Sequence, residues 1–413
     1  MPAVTAIRGF KDILPAEASL WRIVEETARD VVRRFDFVEL RPPIMEKTEL
    51  FQRSIGQSTD IVEKEMYTME DRGGEKITLR PEATAGLVRA LLEHNLHEGG
   101  RAVKLFCLGQ MFRYERPQKG RQRQFHQLDV EVFNDPSPLA DAETIFLLYV
   151  FLSELGLPSL SIVLNSLGCR ECRPAYRQSL IDHLSSRKER LCGDCQRRLE
   201  QNPLRTLDCK VPSCQAEAQD APVLASFLCP DCRAHFEAVK SALASLGLSY
   251  ELDERLVRGL DYYTRTTFEV RSGDLGAQNA VAGGGRYDGL CRELGGPDLP
   301  GIGFAVGLER LILLLSQTAP PVSDGPDYYV AILCPEAQAP AFKLIHQLRK
   351  KGLAVAADWT PGGLKSRLRR ADKSGAAKVV MIGPDELASG QVLIRDLVAK
   401  EQETRPIDRP DLF

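Results

Sequence analysis

Two strand-like runs joined by a polar loop constrain the fold of this sequence more than any other feature. Residues 104–114 and 124–133 both have the residue pattern of β-strands, and the segment between them, 115–123, is polar and contains Pro117 and Gly120. Adjacent strands joined by a loop of this kind usually pair antiparallel. The sequence therefore predicts a β-hairpin, and the arginines and lysine of the loop give it a basic tip.

The second strand of this hairpin has one polar face. Period-two alternation places Gln127, Asp129 and Glu131 on one side, and aliphatic residues on the other. A polar face is typical of a strand exposed to solvent. It also fits a pocket lined with carboxylates and an amide, which suits a ligand with positive or hydrogen-bonding groups. On the first strand, Arg113 could bind phosphate through its planar guanidinium.

Residues 301–311 form a second distinctive pattern. Gly301, Gly303, Ala305 and Gly307 alternate with large apolar residues, so one strand face is packed and the other nearly bare. A bare face admits a flat ring, and a helix beginning near Gly307 would bring Arg310 close to it. A strand pressed against a neighbouring element is the alternative. The spacing differs from G-x-G-x-x-G, and no Walker motif occurs, which disfavours Rossmann dehydrogenases and phosphate-loop NTPases.

Two more segments, 258–264 and 282–288, place arginines and tyrosines beside glycines. Such residues can line a site where the backbone comes close to a ligand. Tyrosines near a strand end are also ordinary core or interface residues. Taken alone, neither segment decides between these interpretations.

Length and composition indicate a multidomain globular protein. The chain has 413 residues, of which 43% are hydrophobic and 27% charged, and this length predicts two or three folded units. We expect no membrane role and a cytosolic location, because no apolar run could span a bilayer and the amino terminus does not resemble a signal peptide. With a net charge of −3, any RNA partner must be bound by local basic patches.

Eight of the eleven cysteines lie in pairs between Cys169 and Cys232. The pairs are Cys169 with Cys172, Cys192 with Cys195, Cys209 with Cys214, and Cys229 with Cys232. In a large chain without a signal peptide, such clustering favours reduced thiols or metal ligands over disulfides. The spacing suits four-cysteine structural zinc, although the pairs can be combined in more than one way and unmetallated thiols remain the alternative.

The C-terminal part of the chain is predicted to be a separate α/β domain. Residues 316–326 are rich in Pro, Ser, Gly and Asp, which indicates a linker. Beyond it, apolar strand-like runs at 329–333 and 378–382 alternate with helical patterns at 342–351 and 364–371. Lys365, Arg369 and Lys373 fall on one face of the second helix, which suits either RNA contact or an ordinary solvated surface.

Several of these motifs together resemble the class II aminoacyl-tRNA synthetases. The hairpin resembles their motif 2, residues 301–311 resemble motif 3, and the helix that precedes Arg41-Pro42-Pro43 resembles the dimer-forming motif 1. Residues 78–84 (TLRPEAT), 256–263 (LVRGLDYY) and 282–288 (AGGGRYD) narrow the resemblance to the histidyl-tRNA synthetases. It runs from Arg8 to the carboxyl terminus, and one departure is Ala83, where many members of the family have glycine.

The resemblance implies a fold class and a domain organisation. We expect an α/β protein: an α+β catalytic domain built on an antiparallel class II sheet, and a small α/β C-terminal domain. The catalytic core would comprise residues 1–168 and 248–315, interrupted by a Cys-rich insertion at 169–247. After the linker, 316–326, residues 327–413 would bind the anticodon.

The resemblance also implies a reaction and its site residues. L-Histidine would be activated by ATP, accompanied by Mg²⁺, and transferred to the 3′ end of tRNA(His) by a homodimer. Arg258 and Arg113 would be catalytic at the α-phosphate. The implied histidine-binding residues are Glu82, Ala83, Thr84, Gln127, Glu131, Arg258, Tyr262, Tyr263 and Tyr287. Glu82, Thr84 and Gln127 would hold the α-ammonium, Glu131 and Tyr263 the imidazole, and Tyr287 would close the pocket.

The resemblance also implies residues that contact ATP and tRNA. ATP would contact Arg113, Arg310, Gly303 and Gly307. The tRNA would contact Arg116, Gln118, Arg121 and Arg123 at the hairpin tip, and Lys365, Arg369 and Lys373 in the C-terminal domain.

Three other functions are compatible with parts of this pattern. A histidyl-synthetase-like regulatory subunit of ATP phosphoribosyltransferase would use the same fold to sense histidine, but Arg113, Arg258, Arg310 and the complete C-terminal domain argue against it. A zinc-dependent RNA-binding protein would explain the cysteines and leave the pocket motifs without a role. Another class II ligase is disfavoured by the segment around Arg258 and Tyr263.

Overall fold

The predicted hairpin is present, and it lies within the larger of two main sheets. Its strands, Val103–Phe112 and Gln124–Phe133, pair antiparallel from end to end. The computed structural model describes residues 3–57, 59–157, 160–273, 280–318, 325–359 and 362–413. By its contacts the chain separates into two units, Met1–Ala319 and Pro320–Phe413.

The first unit contains strands and helices in alternation. Its described strands are β1 (Val38–Glu39), β2 (Met45–Lys47), β3 (Tyr67–Glu70), β4 (Lys76–Leu79), β5 (Val103–Phe112), β6 (Gln124–Phe133), β7 (Leu160–Ser166), β8 (Glu251–Leu252), β9 (Thr264–Ser272), β10 (Ala280–Arg286) and β11 (Gly301–Gly307). Its described helices are α1 (Pro15–Arg34), α2 (Thr48–Ile55), α3 (Thr84–Glu93), α4 (Pro138–Glu154), α5 (Arg173–Ser185), α6 (Gly193–Gln201), α7 (Pro212–Ala218), α8 (Pro230–Ser245), α9 (Leu290–Glu293) and α10 (Leu308–Thr318).

Eight of the described strands of this unit form one sheet in the order β1-β5-β6-β11-β10-β9-β7-β8, and the other three form a small sheet in the order β2-β4-β3. The six central strands are antiparallel to their neighbours, and β1 and β8 at the edges pair parallel. The aliphatic face of β6 packs with α1, α4 and α10 in the largest hydrophobic cluster. The polar face of β6 is therefore on the opposite side of the sheet, where the site residues lie.

Helix α1, predicted from its position before Arg41, ends at Arg34. Asp36, two residues later, adopts a left-handed conformation with φ of 66°. A left-handed residue terminates a helix and turns the chain. Val38 is then free to pair with Leu105 in the sheet.

The Cys-rich region has a small core of its own. Apolar side chains from Tyr176 to Leu224, with four of the cysteines among them, form a separate hydrophobic cluster. Helix α8, by contrast, contributes Val239 and Leu243 to the core beneath the eight-stranded sheet and contacts α4. Part of the predicted insertion, 169–247, therefore packs with that sheet.

A buried polar network links α8 to the sheet. The carboxylate of Asp141 on α4 accepts a hydrogen bond from Arg286 Nε at 2.9 Å, and its other oxygen lies 2.8 Å from His235 Nε2 on α8. Arg286 is fully buried, and these partners hold the pKa of the Asp141 carboxyl below its usual value against the opposing effect of burial. Arg286 directly precedes Tyr287, so this network fixes the strand end beside the pocket.

The second unit is the predicted small α/β domain. Its described elements are β12 (Tyr328–Ile332), α11 (Gln338–Lys350), β13 (Val355–Ala357), α12 (Leu364–Lys373), β14 (Lys378–Ile382), α13 (Pro384–Ser389), β15 (Gln391–Asp396) and β16 (Gln402–Pro406). They form a sheet in the order β13-β12-β14-β15-β16, with β13, β12 and β14 parallel. The predicted fold class, α+β with an antiparallel sheet followed by an α/β domain, is confirmed.

Between the units, α10 extends to Thr318 and so includes the first residues predicted as linker. Residues 319–324 of that linker lie outside the described residues. None of the described helices combines the length and apolar character that a membrane crossing requires.

Candidate active site

A cavity of about 340 Å³ lies on the polar face of the eight-stranded sheet in the first unit. Side chains of β6 and β11, the start of α3 and the irregular segment before β9 line it. The predicted residues that it brings together are Glu82, Thr84, Arg113, Arg121, Gln127, Glu131, Arg258, Tyr262, Tyr263, Gly307 and Arg310. Residues far apart in the sequence therefore converge on one concave site.

Glu82 lies at the amino-terminal end of α3. Its two carboxylate oxygens accept the backbone N–H groups of Thr84 and Ala85 at 2.8 and 2.9 Å. Burial raises the pKa of Glu82, and these hydrogen bonds oppose that shift. Glu82 is thus a fixed acceptor in the cavity, and it also caps α3.

Glu131 is held by two hydroxyl groups. Thr84 Oγ1 donates to one oxygen at 2.6 Å, and Tyr287 donates to the other. Burial raises the pKa of Glu131 to about 8, although both hydrogen bonds act in the opposite direction. Each carboxylate oxygen can accept a second bond, so Glu131 keeps acceptor capacity toward the cavity.

Asp129, between Gln127 and Glu131 on β6, was not among the predicted binding residues. It lines the cavity with 1% of its surface exposed, and neither carboxylate oxygen has a hydrogen-bond partner among the described residues. The Oε1 atom of Gln127 is also buried and has no hydrogen-bond partner among the described residues. Burial, and then the charges of Glu131 and Glu82, raise the pKa of Asp129. The period-two pattern placed Asp129 on this face, but the sequence alone did not indicate that its carboxylate is unpartnered.

Three arginines face the same cavity. Arg113 donates from Nε to the carbonyl of Pro81 at 2.8 Å, and its guanidinium lies over the ring of Phe125. Arg258 is paired with Glu269, and Arg310 donates to the carbonyl of Ala280. Burial lowers the pKa of Arg310. Three guanidiniums around one cavity are suited to binding a phosphate chain.

Glu269 was also missed by the sequence analysis. It lies on β9, lines the cavity, and accepts hydrogen bonds from Arg258 and, at 3.2 Å, from Arg271. Its partner is eleven residues away in the sequence, on an irregular segment. The pairing therefore depends on the tertiary fold, and no local pattern could indicate it.

Three predicted residues lie beside the cavity lining instead of in it. Ala83 is fully buried in a hydrophobic cluster, and Tyr287 lies behind Glu131, its hydroxyl donated to that carboxylate. Gly303 pairs with Glu131 in the sheet, and a Cβ at this position would overlap the Glu131 carboxylate. The small size of Gly303 makes room for Glu131, and its contact with ATP stays a prediction.

The hairpin tip is partly structured by its own contacts. Arg121 donates to Glu115 at 3.0 Å, and a tight turn joins the backbones of Gln118 and Arg121. Arg116 is exposed, whereas the Arg123 guanidinium lies 3.8 Å from the centre of the Tyr114 ring. Arg116, Gln118 and Arg123 are not in the cavity lining, and Arg123 stacks on Tyr114.

The eight cysteines of the insertion converge into two groups of four. One contains Cys169, Cys172, Cys229 and Cys232, and the other contains Cys192, Cys195, Cys209 and Cys214. We call them the outer and inner clusters, by their order in the chain. Within each, the sulfur atoms lie within 4.8 Å of one another, so each could hold a metal ion. The pairs nest, which the sequence spacing had left open.

In the second unit, the predicted basic face of α12 is exposed. Lys365, Arg369 and Lys373 are all accessible. Arg367 on the same helix is buried and paired with Asp358, so it does not belong to that face.

Comparison with known proteins identifies the family. A family model described as "Histidyl-tRNA synthetase" matches residues 9–311, and one described as "Anticodon binding domain" matches residues 321–409. The histidine–tRNA ligase of Nitratidesulfovibrio vulgaris strain DP4 is 53% identical over 405 residues, which cover 98% of this chain and 96% of the relative. That of Desulfosudis oleivorans is 51% identical, with 97% and 95% covered.

A solved structure agrees with the sequence relatives. The apo histidyl-tRNA synthetase of S. aureus is 33% identical and superposes with a TM-score of 0.84 over 100% of both chains. Sequence and structure thus match over the catalytic unit and the C-terminal unit alike. The chain belongs to the histidyl-tRNA synthetase family.

Proposed function

We propose that the cavity of the first unit activates L-histidine with ATP and that the activated histidine is transferred to the 3′ end of tRNA(His). The observation that carries the proposal is the convergence of buried carboxylates and three arginines on one cavity. A cationic amino acid and a polyphosphate need these two kinds of partner. Charging of tRNA with labelled histidine tests it: we expect ATP-dependent incorporation into tRNA(His), and absence of incorporation would refute the proposal.

Histidine recognition is assigned to the acidic end of the cavity. Glu82, Thr84 and Gln127 would hold the α-ammonium, and Glu131 and Tyr263 would bind the imidazole. Burial raises the pKa of Tyr263 to about 12, so its hydroxyl stays neutral and can donate or accept. The carboxyl group of Asp129, which has no hydrogen-bond partner among the described residues, is available for a further polar contact with the bound histidine. A cavity with so many buried polar groups penalises side chains that cannot pair with them.

Adenylate formation is assigned to the arginine end. The carboxylate oxygen of histidine attacks the α-phosphorus of ATP, a P–O bond forms, and pyrophosphate leaves with the electrons of the broken bond. Two anions approach one another in this step. Arg113 and Arg258 would screen that approach and bind the charge that develops on the phosphate, while Arg310 would hold another part of the ATP. Mg²⁺ would accompany the ATP phosphates as part of the substrate.

Transfer then requires the tRNA to be positioned. The terminal ribose hydroxyl of the tRNA attacks the carbonyl carbon of the adenylate, an ester forms, and AMP leaves. The departing phosphate can accept the proton, so no strong protein base is needed. Arg116, Gln118 and Arg121 at the hairpin tip would contact the acceptor end, and Lys365, Arg369 and Lys373 would contact the anticodon region.

Replacing Glu131 by glutamine tests the imidazole assignment. An amide is a weaker acceptor than a carboxylate, so Glu131→Gln should weaken histidine binding about tenfold. The pKa of about 8 also predicts a pH dependence. The acid is protonated below its pKa, so wild-type affinity for histidine should rise as the pH is raised from about 6.5 to about 8.5.

In Glu131→Gln that rise should be smaller, because the titrating group is gone while Glu82 and Asp129 remain. Calorimetric titration with histidine across this pH range measures both effects. Unchanged affinity and an unchanged pH profile in the variant would mean that residues other than Glu131 bind the imidazole.

We further propose that each cysteine cluster holds a structural zinc ion. The Cys169–Cys172 and Cys169–Cys229 sulfur distances are 3.7 and 3.9 Å, and Cys192–Cys209 is 3.9 Å. Zinc bound to four thiolates at about 2.3 Å has sulfur–sulfur distances of about 3.8 Å, far longer than a disulfide bond. With four protein ligands in each cluster, the role would be structural. Zinc would stabilise the insertion, whose own hydrophobic cluster is small.

The zinc proposal predicts a metal content. The purified protein should contain two zinc ions per chain, one for each cluster. Cys195→Ser and Cys232→Ser should each remove one ion and lower the melting temperature. Cys334→Ser, outside both clusters, is the matched control and should keep both ions. Elemental analysis of the three variants decides the question, and a protein without zinc would contradict the assignment.

Assembly and location follow from the same function. We propose a homodimer, and the exposed apolar side chains of Val38, Ile44 and Met45 near the edge strand β1 support a surface covered by a second copy. Light scattering in solution would measure the mass. We propose a cytoplasmic location, because charged tRNA is used by the ribosome.

A further inference from the structure

The backbone around Arg258 is not held by a strand or a helix. Residues 253–263 lie between β8 and β9 and have no regular secondary structure. This segment nevertheless carries Arg258, proposed to be catalytic, and two tyrosines of the cavity. Some other part of the molecule must therefore hold its backbone in place.

The insertion supplies several of the contacts that hold it. Arg205 Nη1 donates to the carbonyl oxygen of Arg258 at 2.7 Å, and Asn202 Nδ2 donates to the carboxylate of Asp261 at 2.8 Å. Arg173, at the start of α5, donates to the carbonyl of Tyr263. The contacts thus fall in the second half of the segment, at positions 258, 261 and 263.

The donors lie next to the cysteine clusters. Asn202 and Arg205 follow α6 and lie between Cys195 and Cys209 of the inner cluster. Arg173 directly follows Cys172 of the outer cluster. If a metal ion joins the four cysteines of each cluster, the segment that carries Asn202 and Arg205 is held at both ends, by Cys195 and Cys209. Arg173 is held at one end, by Cys172. The three donors therefore gain fixed positions.

A further contact fixes the same part of the insertion to the catalytic core. Arg198, on α6, forms an ion pair with Asp60 at 2.7 Å, and the neighbouring Ile61 lines the cavity. The segment from Arg198 to Arg205 is therefore joined to two separate borders of the cavity. Two attachments restrain its orientation more than either would alone.

We propose that Arg205 and Asn202 are positioning residues for adenylate formation, through which the cysteine-held insertion fixes the backbone of Arg258 and Asp261. They act through Arg258 and not on the substrate. The inference rests on the proposed catalytic role of Arg258. A shift of the Arg258 backbone would displace its guanidinium from the position set by Glu269 and so from the α-phosphate. Glu82 and Glu131 lie on other elements, and Tyr263 keeps its contact with Arg173, so the acidic end of the cavity should stay intact.

The experiment uses the full-length, metal-containing protein. Arg205→Ala, Asn202→Ala and the double variant are compared with wild type in histidine-dependent pyrophosphate exchange, and histidine binding is measured separately by calorimetry. Misplacement of a catalytic group by a fraction of an ångström can cost one to two orders of magnitude, so we expect kcat to fall about tenfold in each single variant. The dissociation constant for histidine should change less than about threefold.

Two matched variants make the readout specific. Arg197→Ala removes an exposed arginine of the preceding helix, α6, which pairs only locally with Asp194 among the described residues, and should leave kcat unchanged. Arg205→Lys keeps a cationic donor that can reach a carbonyl oxygen, and should recover part of the lost rate. Thermal melting shows whether each variant is folded, and zinc analysis shows whether it still binds the metal.

The outcomes separate the inference from the function on which it rests. A fall in kcat with histidine affinity retained, partly recovered by lysine, supports the inference. Unchanged kcat in the double variant overturns it, and so does a parallel loss of kcat and histidine affinity, which would indicate a merely structural role. If wild type itself shows no exchange, or if Arg258→Ala exchanges normally, the proposed function fails instead.

Discussion

Replacing Arg258 by alanine is expected to lower the rate of histidine-dependent pyrophosphate exchange by on the order of 10²–10³-fold. The guanidinium lies in the cavity with two other arginines and would meet the negative charge that develops on the α-phosphate. That charge is greater in the transition state than in bound ATP, so the loss should fall mainly on kcat. Histidine binding should weaken much less, because Glu82 and Glu131 remain.

The local structure makes this variant a fair test. Glu269 loses one partner but keeps Arg271 at 3.2 Å, so no carboxylate is left without a counter-charge. Arg255→Ala, at an exposed arginine three residues upstream, is the matched control and should exchange at the wild-type rate. Normal exchange by a folded Arg258→Ala protein would remove Arg258 from the mechanism.

Removal of residues 327–413 is expected to separate the two steps of the reaction. Every described residue of the cavity lies before position 311, so adenylate formation should persist. Charging of tRNA should fall by on the order of 10²-fold, the scale on which the loss of several phosphate contacts weakens binding. The hydrophobic clusters of the two units share no residues, which supports independent folding of the remaining part.

The truncated protein must first be shown to be folded and to have the same oligomeric state as the full chain. A less invasive variant, Lys365→Ala combined with Arg369→Ala and Lys373→Ala, changes only exposed side chains of α12. It should raise the KM for tRNA and reduce the salt dependence of charging. Charging by the truncated protein at the full-length rate would mean that the C-terminal unit does not contribute to tRNA binding.

Local periodicity was enough to predict the elements that carry the site. The alternation in β6 put Gln127, Asp129 and Glu131 on one face, and the glycines of 301–307 indicated a strand with one packed face. These patterns depend only on neighbouring residues and on whether a face is buried, which explains why they could be read from one sequence.

Features that depend on distant residues could not be predicted in the same way. The nesting of the cysteine pairs arises from the tertiary structure, and spacing along the chain does not encode it. Gly303 was interpreted as part of a bare surface for ATP, whereas Glu131 on the adjacent strand occupies the space beside it. Arg367 on the basic helix is buried because Asp358 lies against it.

Pyrophosphate exchange with ATP, measured separately with each standard amino acid, tests the central claim most directly. It measures amino-acid activation alone, without tRNA, and so examines the cavity and its two groups of charged residues. We expect rapid exchange with histidine and, with every other amino acid, exchange lower by several orders of magnitude, since Glu131 and Tyr263 would lack the imidazole as a partner. Exchange that another amino acid supports as well as histidine does, or no exchange with histidine at all, would contradict this account.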